Sequence, residues 1–402
     1  MFWFLLTFFS VYGGAHLYFF SELRKAVQMS HAGSVLVSAV LVLAALSPLL
    51  IRVLERWNAG FAARALAYPG YFWMGFLFLF ICWSILFKIL NLVGGGVSLI
   101  LGFEKSLEIG AGMFFWLPVM LSVLVMSYGY HEARNIRVEY VDLEVPKLPD
   151  TEKPIRIVQL ADLHLGLIER DSRVEEVVRI VMGFEPDLIV STGDLVDGQM
   201  YDIGYLAERL AQLNPPLGKF AVLGNHEFYA GVSDSVEFLK NGGFRVLRGE
   251  AVDLTDHFRI VGLDDPVGEI IAGGVSVRES DLLMGSGGAR FVLLLKHRPV
   301  WDRHLLGEFD LQLSGHTHRG QIFPFRYVTK LFYPEDSGLH RLGMGSFLYV
   351  SRGTGTWGPK VRVLAPPEIT VINIWGRGIR ATGGSAGGVC RSKSGETRED
   401  VD

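Results

Sequence analysis

Apolar side chains fill nearly every position of four stretches of the chain, residues 1–20, 34–51, 71–90 and 109–130. A helix rises about 1.5 Å per residue, so roughly 20 such residues cross the ~30 Å core of a bilayer. Four membrane-spanning helices are therefore predicted. No basic residue precedes the first apolar run and three further spans follow it, which does not suit a cleaved signal peptide. Residues 92–103 are apolar over about half the required length and are expected to form an interfacial or re-entrant piece. Lys88 is the only Lys, Arg, Asp or Glu inside the expected spans, and near a span's end it can snorkel to the interface.

From about residue 131 the pattern changes, and charged and apolar positions mix. Residues 131–150 are polar and end in Pro146 and Pro149, predicting an extended connector. Beyond it, residues 155–159, 188–191, 220–223 and 244–248 read as short strands, with helical periodicity at 174–182, 205–213 and 233–240. This alternation predicts a largely parallel sheet covered by helices. After Glu250 closely spaced strands follow, at 259–262, 291–295, 311–314, 348–351 and 369–374, enough for a second sheet packed on the first. Residues 376–402, rich in Gly, Ser and charge, are expected to be a disordered tail. The predicted organisation is thus a transmembrane region at 1–130, a connector, and one α/β domain at 151–375.

Charge narrows the possible partners. Residues 1–140 carry nine Lys and Arg against six Asp and Glu, net +3, which leaves −7 of the chain's −4 for residues 141–402. An acidic domain lacks the basic stripe that nucleic-acid binding needs, so no nucleic-acid surface is expected. The two cysteines, Cys82 and Cys390, form neither a disulfide framework nor a thiolate metal site.

Candidate chemistry lies in five polar clusters directly after predicted strands, where an α/β scaffold gathers ligands. They are Asp162 with His164, Asp194 with Asp197, Asn225 with His226 and Glu227, His297 with Arg298, and His316 with His318. A single Asp or Asn after a strand is ordinarily a turn residue. Together, however, the clusters hold five of the chain's eleven histidines beside carboxylates and an amide, the N and O donors that divalent metals prefer.

In this order the clusters resemble the D-x-H, G-D, G-N-H-E, H and G-H-x-H blocks of the calcineurin-like metallophosphoesterases, over roughly residues 152–375. Gly262-Leu263-Asp264-Asp265, the run from Ser314 to Gln321, the run from Ser351 to Pro359 and the run from Ala365 to Thr370 are similar to the family's bacterial membrane-associated branch. The resemblance implies a four-layer α/β/β/α sandwich and two divalent metal ions, Mn, Fe, Zn or Ni. It implies that Asp162, His164 and His318 hold one metal, that Asn225, His297 and His316 hold the other, and that Asp194 bridges them. His226 is expected just outside the metals as a proton donor to the leaving oxygen. The implied activity is metal-dependent hydrolysis of phosphomonoesters, phosphodiesters or diphosphates. Four spans exceed what anchoring needs and the short connector keeps the site near membrane lipids, so the expected substrate is either a phospholipid or lipid-linked phosphate, or a soluble phosphoester of an enzyme that the spans only localise. Positive charge near the segment ends favours a cytoplasmic domain. Asp197 is expected to turn or cap its segment, Glu227 to orient His226 or cap a helix, Arg298 and Arg319 to bind phosphate or lie on the surface. His257, His304 and His340 match no block.

Two other readings fit these residues less well. A metal-dependent amidohydrolase or protease would use similar ligands, but the chain has no His-Glu-x-x-His helix. A non-enzymatic membrane sensor or transporter with a phosphoesterase-like regulatory module would tolerate a decayed site, whereas all eight expected site residues are present.

Overall fold

The computed structural model describes residues 2–101, 110–149, 153–198, 200, 202–272, 277–286, 288–376 and 391–395. It divides into a helical unit, Met1–His131 with Gly358–Val363, and a second unit, Glu132–Trp357 with Leu364–Asp402.

The helical unit contains α1 (Phe2–Ala26), α2 (His31–Arg56), α3 (Gly60–Leu101) and α4 (Ala111–Arg134). Of these, α2, α3 and α4 are long and apolar enough to cross a membrane. α1 covers the first expected span as a helix of 25 residues. Ser30 caps α2, its hydroxyl accepting the Gly33 amide at 3.1 Å. Small residues bring α2 and α3 together: a Cβ on Gly70 would lie 2.8 Å from Ser47 Oγ. Phe19, Phe80 and Phe115 pack edge to face or tilted at their centre, with centroids 4.9–5.5 Å apart.

Residues 92–101 are not a separate re-entrant piece. They continue α3, which at 42 residues is about 63 Å long. The Gly94-Gly95-Gly96 run weakens a helix but supplies neither a proline nor a cap to end one. Lys88 therefore lies well inside α3, not near its end.

In the second unit the elements run β1 (Arg137–Glu144), β2 (Ile155–Leu160), α5 (Asp171–Met182), β3 (Leu188–Ser191), α6 (Gly204–Ala211), β4 (Lys219–Ala221), α7 (Asn225–Ala230), α8 (Val232–Asn241), β5 (Arg245–Val246), β6 (Glu250–Thr255), β7 (Phe258–Leu263), α9 (Val267–Ala272), α10 (Glu279–Leu283), β8 (Phe291–Lys296), β9 (Leu311–Ser314), α11 (Arg326–Phe332), β10 (Gly338–Gly343), β11 (Ser346–Val350), β12 (Glu368–Trp375) and β13 (Arg391–Gly395). One sheet has the order β13-β1-β12-β2-β3-β4-β5, the other β10-β11-β9-β8-β7-β6. From β2 to β5 the strands are parallel, as are β7, β8, β9 and β11.

Strand alternation builds the layers. Ile157, Leu188, Val190 and Phe220 of the first sheet meet Ile260, Leu293, Leu295 and Leu313 of the second in one buried cluster. Val158, Leu160 and Ile189 face the other way, onto Val174, Val177 and Val181 of α5 and Leu206 and Leu210 of α6. Val261, Val292 and Leu294 pack with Leu283 of α10. The result is two mixed sheets face to face with helices outside.

The segment expected to be an extended connector contains β1, paired with β12 along its whole length. Its alternating sequence buries Val138 on the helix side and Val141 and Leu143 between the sheets. Arg352 ties it to β12, bonding Glu139 at 2.5 Å and Glu368 at 2.6 Å. Of the expected tail, Arg391–Gly395 pairs antiparallel with β1, and residues 377–390 and 396–402 lie outside the described residues.

Candidate metal centre

Each expected ligand leaves its strand on a tight turn. Asp162 and His164 follow β2, Asp194 follows β3, Asn225 and His226 open α7 after β4, His297 follows β8, and His316 and His318 follow β9. Asp162, His164, Asp194, His316 and His318 all have left-handed backbones, with φ between 47° and 72°. Side chains with a Cβ adopt this conformation at a cost of about 1–2 kcal/mol each. Such strain collects where a site's geometry is held by its surroundings.

The side chains converge in overlapping groups: Asp162, His164 and His318; Asp194, His297 and His316; and His164, Asp194 and His226. Within each group the ligand atoms lie within 4.8 Å of one another. His164 Nε2 is 3.0 Å from His318 Nε2, and His318 Nε2 is 3.6 Å from Asp162 Oδ1. On the other side, His297 Nε2 lies 3.0 Å from His316 Nδ1 and 3.2 Å from Asn225 Oδ1. Asp194 Oδ2 stands between the two sets, 3.1 Å from His297 Nε2 and 3.9 Å from His164 Nε2.

The carboxylates are aimed by backbone amides. The His226 amide donates to Asp194 Oδ1 at 2.9 Å, and the His316 amide to Asp162 Oδ1 at 2.9 Å. Two glycines make this approach possible. A Cβ on Gly224 would sit 2.2 Å from Asp194 Oδ1, and one on Gly315 would sit 2.1 Å from Asp162 Oδ2. His297 Nδ1 donates to the Thr192 carbonyl at 2.9 Å, which directs Nε2 into the centre.

The protonation pattern tests whether these residues fit metal ions. Burial, then the charge on neighbouring imidazoles, lowers the pKa of His164 to about 4 and of His316 to about 3. Burial opposes charge on His297, but Asp194 outweighs it and raises that pKa to about 10. Asp194 is held well below the ordinary carboxylate range: burial alone would raise it, and His297 and His226 overcome that. His164 and His316 thus present unprotonated nitrogens beside the ionised Asp194 in a buried centre, a donor set that cations would satisfy. His164 Nδ1 is also buried with no hydrogen-bond partner among the described residues. Oxygen and imidazole donors in two sets sharing one carboxylate oxygen fit two divalent metal ions.

Two residues beside the ligands gain roles that the sequence did not distinguish. Asp197 accepts a 2.6 Å hydrogen bond from His226 Nδ1. Burial opposes charge on His226, but Asp194 and Asp197 prevail and raise its pKa to about 9. Glu227 accepts the amides of Asp194, Leu195, Val196 and Gly224 at 2.7–3.2 Å, binding the turn after β3 to the start of α7. A glutamate three residues after the residue preceding a helix is a recognisable capping signal; its grip on a second loop is not. Tyr229 and Trp357 flank His226, at centroid distances of 5.5 and 6.1 Å. The Gln321 amide holds the Trp357 backbone at both N and O, at 2.9 and 2.8 Å. Arg298 is engaged by Asp265 through two bonds of 2.6 and 2.9 Å.

A layered α/β scaffold whose strand ends gather these two sets around Asp194 is the architecture of a metal-dependent hydrolase fold. The sequence profile described as calcineurin-like phosphoesterase matches residues 155–320. An uncharacterised metallophosphoesterase of Aquifex aeolicus is 43% identical over 261 residues, 65% of this chain and 100% of that one. The uncharacterised metallophosphoesterase Cj0846 of Campylobacter jejuni is 30% identical over 91% of this chain and 96% of its own. A transmembrane protein with metallophosphoesterase domain from Danio rerio is 31% identical over 74% of this chain and 69% of its own. The chain belongs to the calcineurin-like metallophosphoesterase family.

Proposed function

We propose that this protein hydrolyses phosphoesters held at a membrane, on a phospholipid or a lipid-linked phosphate or diphosphate. The observation that carries the hydrolytic reading is the convergence of two ligand sets on Asp194 Oδ2 beside His226, whose ring is held by Asp197. Asp162, His164 and His318 with Asp194 would hold one divalent ion, and Asn225, His297 and His316 with Asp194 the other. When bound, such ions polarise phosphoryl oxygens and make hydroxide available at neutral pH.

The chain's own groups supply the rest. Asp194 adds the negative charge that lets two dications lie close together. His226 hands a proton to the departing oxygen, and Asp197 fixes its ring and sustains its charge through Nδ1. Trp357 and Tyr229 wall the His226 side with apolar surface, limiting water around that proton.

Two features support a lipid substrate. Among the described residues, three helices are long and apolar enough to span a bilayer, and α1 would add a fourth span. In addition, α11 has no buried residue and exposes Val328, Leu331 and Phe332, the last two at 80% and 74%. The next residue, Tyr333, stacks edge-on to His316 at 5.2 Å. Exposed apolar side chains of this kind beside a reaction centre mark a surface that meets lipid or another apolar body. A multi-pass arrangement with four spans and the N-terminus inside places Arg52, Arg56, Arg64, Arg134 and Arg137 in the cytoplasm, against Arg24, Lys25 and Lys105 outside, and so favours a cytoplasmic catalytic domain.

The test uses full-length protein in detergent, loaded with single metals, on one lipid phosphate and one soluble phosphoester. Replacing Leu331 and Phe332 by Ser is expected to lower kcat/KM for the lipid alone. Equal losses on both substrates, or none on either, would remove the lipid reading and leave a soluble-substrate phosphoesterase.

A further inference from the structure

The helical unit carries a polar site of its own, which shares no residue with the metal ligands. Glu22 of α1 is buried, and two ammonium groups close on the same one of its oxygens: Lys25 Nζ at 2.8 Å from Oε1 and Lys88 Nζ of α3 at 3.0 Å. Lys88 also lies 4.7 Å over the Tyr18 ring, and the Tyr18 hydroxyl is 2.6 Å from Ser84 Oγ, which fixes the register of α1 against α3. These groups open onto a cavity of about 400 Å³ lined by Glu22, Lys25, Lys88, Asn91, Leu92 and Phe114.

Three properties of this cavity point the same way. Its volume falls in the ~300–1,000 Å³ range of small-molecule sites. Its described lining carries two positive charges against one negative charge, an excess of one. The excess is set in apolar helices, where an uncompensated ammonium is costly and recruits an anion. Finally, the lining is divided by chemistry: Lys25, Lys88 and the Asn91 amide offer donors, and Leu92 and Phe114 offer apolar wall.

We propose that this cavity binds the phosphate group of an anionic membrane lipid. The two lysines and Asn91 donate to the phosphate oxygens while the first carbons of the lipid lie against Leu92 and Phe114. Glu22 holds both ammonium groups in place when no lipid is bound and limits affinity by repelling the phosphate. Basic pockets between transmembrane helices recognise headgroups in this manner. A free phosphate ion shares the donors and lacks the contacts to the wall, so comparing the two identifies the source.

Native mass spectrometry on the full chain in non-ionic detergent tests the assignment, with phosphatidylglycerol, phosphatidylcholine and inorganic phosphate as separate additives. One phosphatidylglycerol per chain is expected in preference to the other two, and it should persist in Asp194→Asn, which disables the metal centre only. Lys88→Gln and Lys25→Gln are each expected to weaken it by about five-fold, the worth of one lysine near an anionic headgroup. Lys88→Arg should retain binding, and Glu22→Gln should tighten it, an effect of opposite sign that loss of structure cannot mimic. Undiminished binding in Lys88→Gln, weaker binding in Glu22→Gln, or equal uptake of phosphatidylcholine would overturn the site. Equal affinity for inorganic phosphate would overturn its assignment to a lipid, and loss of the lipid in Asp194→Asn would move it to the metal centre.

Discussion

Asp194 and Glu22 are both buried carboxylates, and the chain neutralises them in opposite ways. Around Asp194 the neighbours are imidazole rings held at strand ends, with a backbone amide fixing the carboxylate from one side. Around Glu22 they are two flexible ammonium groups on one oxygen. The first centre sets several imidazole nitrogens around one carboxylate oxygen, and the second sets two ammonium groups on one. Burial alone therefore says little about what a charged group is for. What decides it is the kind of partner, and whether strands or long side chains hold the partners.

The sharpest way to break the metal side of this comparison is Asp194→Asn. Hydrolysis is expected to fall to background, with metal content reduced and the fold kept. His316→Ala should behave similarly. Undiminished metal and activity in both variants would remove the shared-carboxylate assignment.

His226→Ala separates proton transfer from metal binding. Turnover should fall by about 10²–10⁴ with both ions retained, and the defect should shrink for leaving groups that need no protonation. Asp197→Asn, acting through the ring, is expected to lose less, about 10–100-fold. A collapse of metal occupancy in His226→Ala would make it a ligand instead.

A smaller effect follows from Gly224. Alanine there would put a methyl 2.2 Å from Asp194 Oδ1, so one must move. Overpacking of this kind costs about 1–3 kcal/mol. Thermal unfolding should show that loss together with weakened metal binding, whereas unchanged metal affinity would mean that Asp194 tolerates displacement.

The last prediction concerns pH. Asp194 raises the pKa of His297 to about 10, so below that pH the metal-free ring carries a proton that a metal ion must displace. Metal affinity should therefore rise with pH and level off above about 10. Calorimetry at neutral pH, in buffers of different ionisation enthalpy, should register proton release on metal binding. Uptake without proton release, at an affinity insensitive to pH, would show that His297 is already neutral.

Much of this centre was legible because metal binding demands particular residue types, and Asp162, His164, Asn225, His297, His316 and His318 are of those types after recognisable strands. The partners were less so. Asp197 is one acidic residue among several in turns, and only the folded loop brings it to His226 Nδ1. The parallel strands stood out as apolar runs, while β1 was hidden behind Pro146 and Pro149 although its alternation is that of a strand. In the helices, Lys88 lies near the end of the expected span at 71–90, while α3 runs on to Leu101, and Glu22 is too distant in sequence to announce itself as its partner.

The place of β12 has a consequence in time. It lies between β1 and β2, both of which are made long before it. About 220 residues separate the end of β1 from the start of β12, so a ribosome adding roughly 5–20 residues per second takes about 10–45 s to deliver the missing strand. Throughout that interval β1 is already synthesised just behind α4, its apolar side chains without their sheet neighbour, and the growing chain's first sheet can close only once β12 has been made.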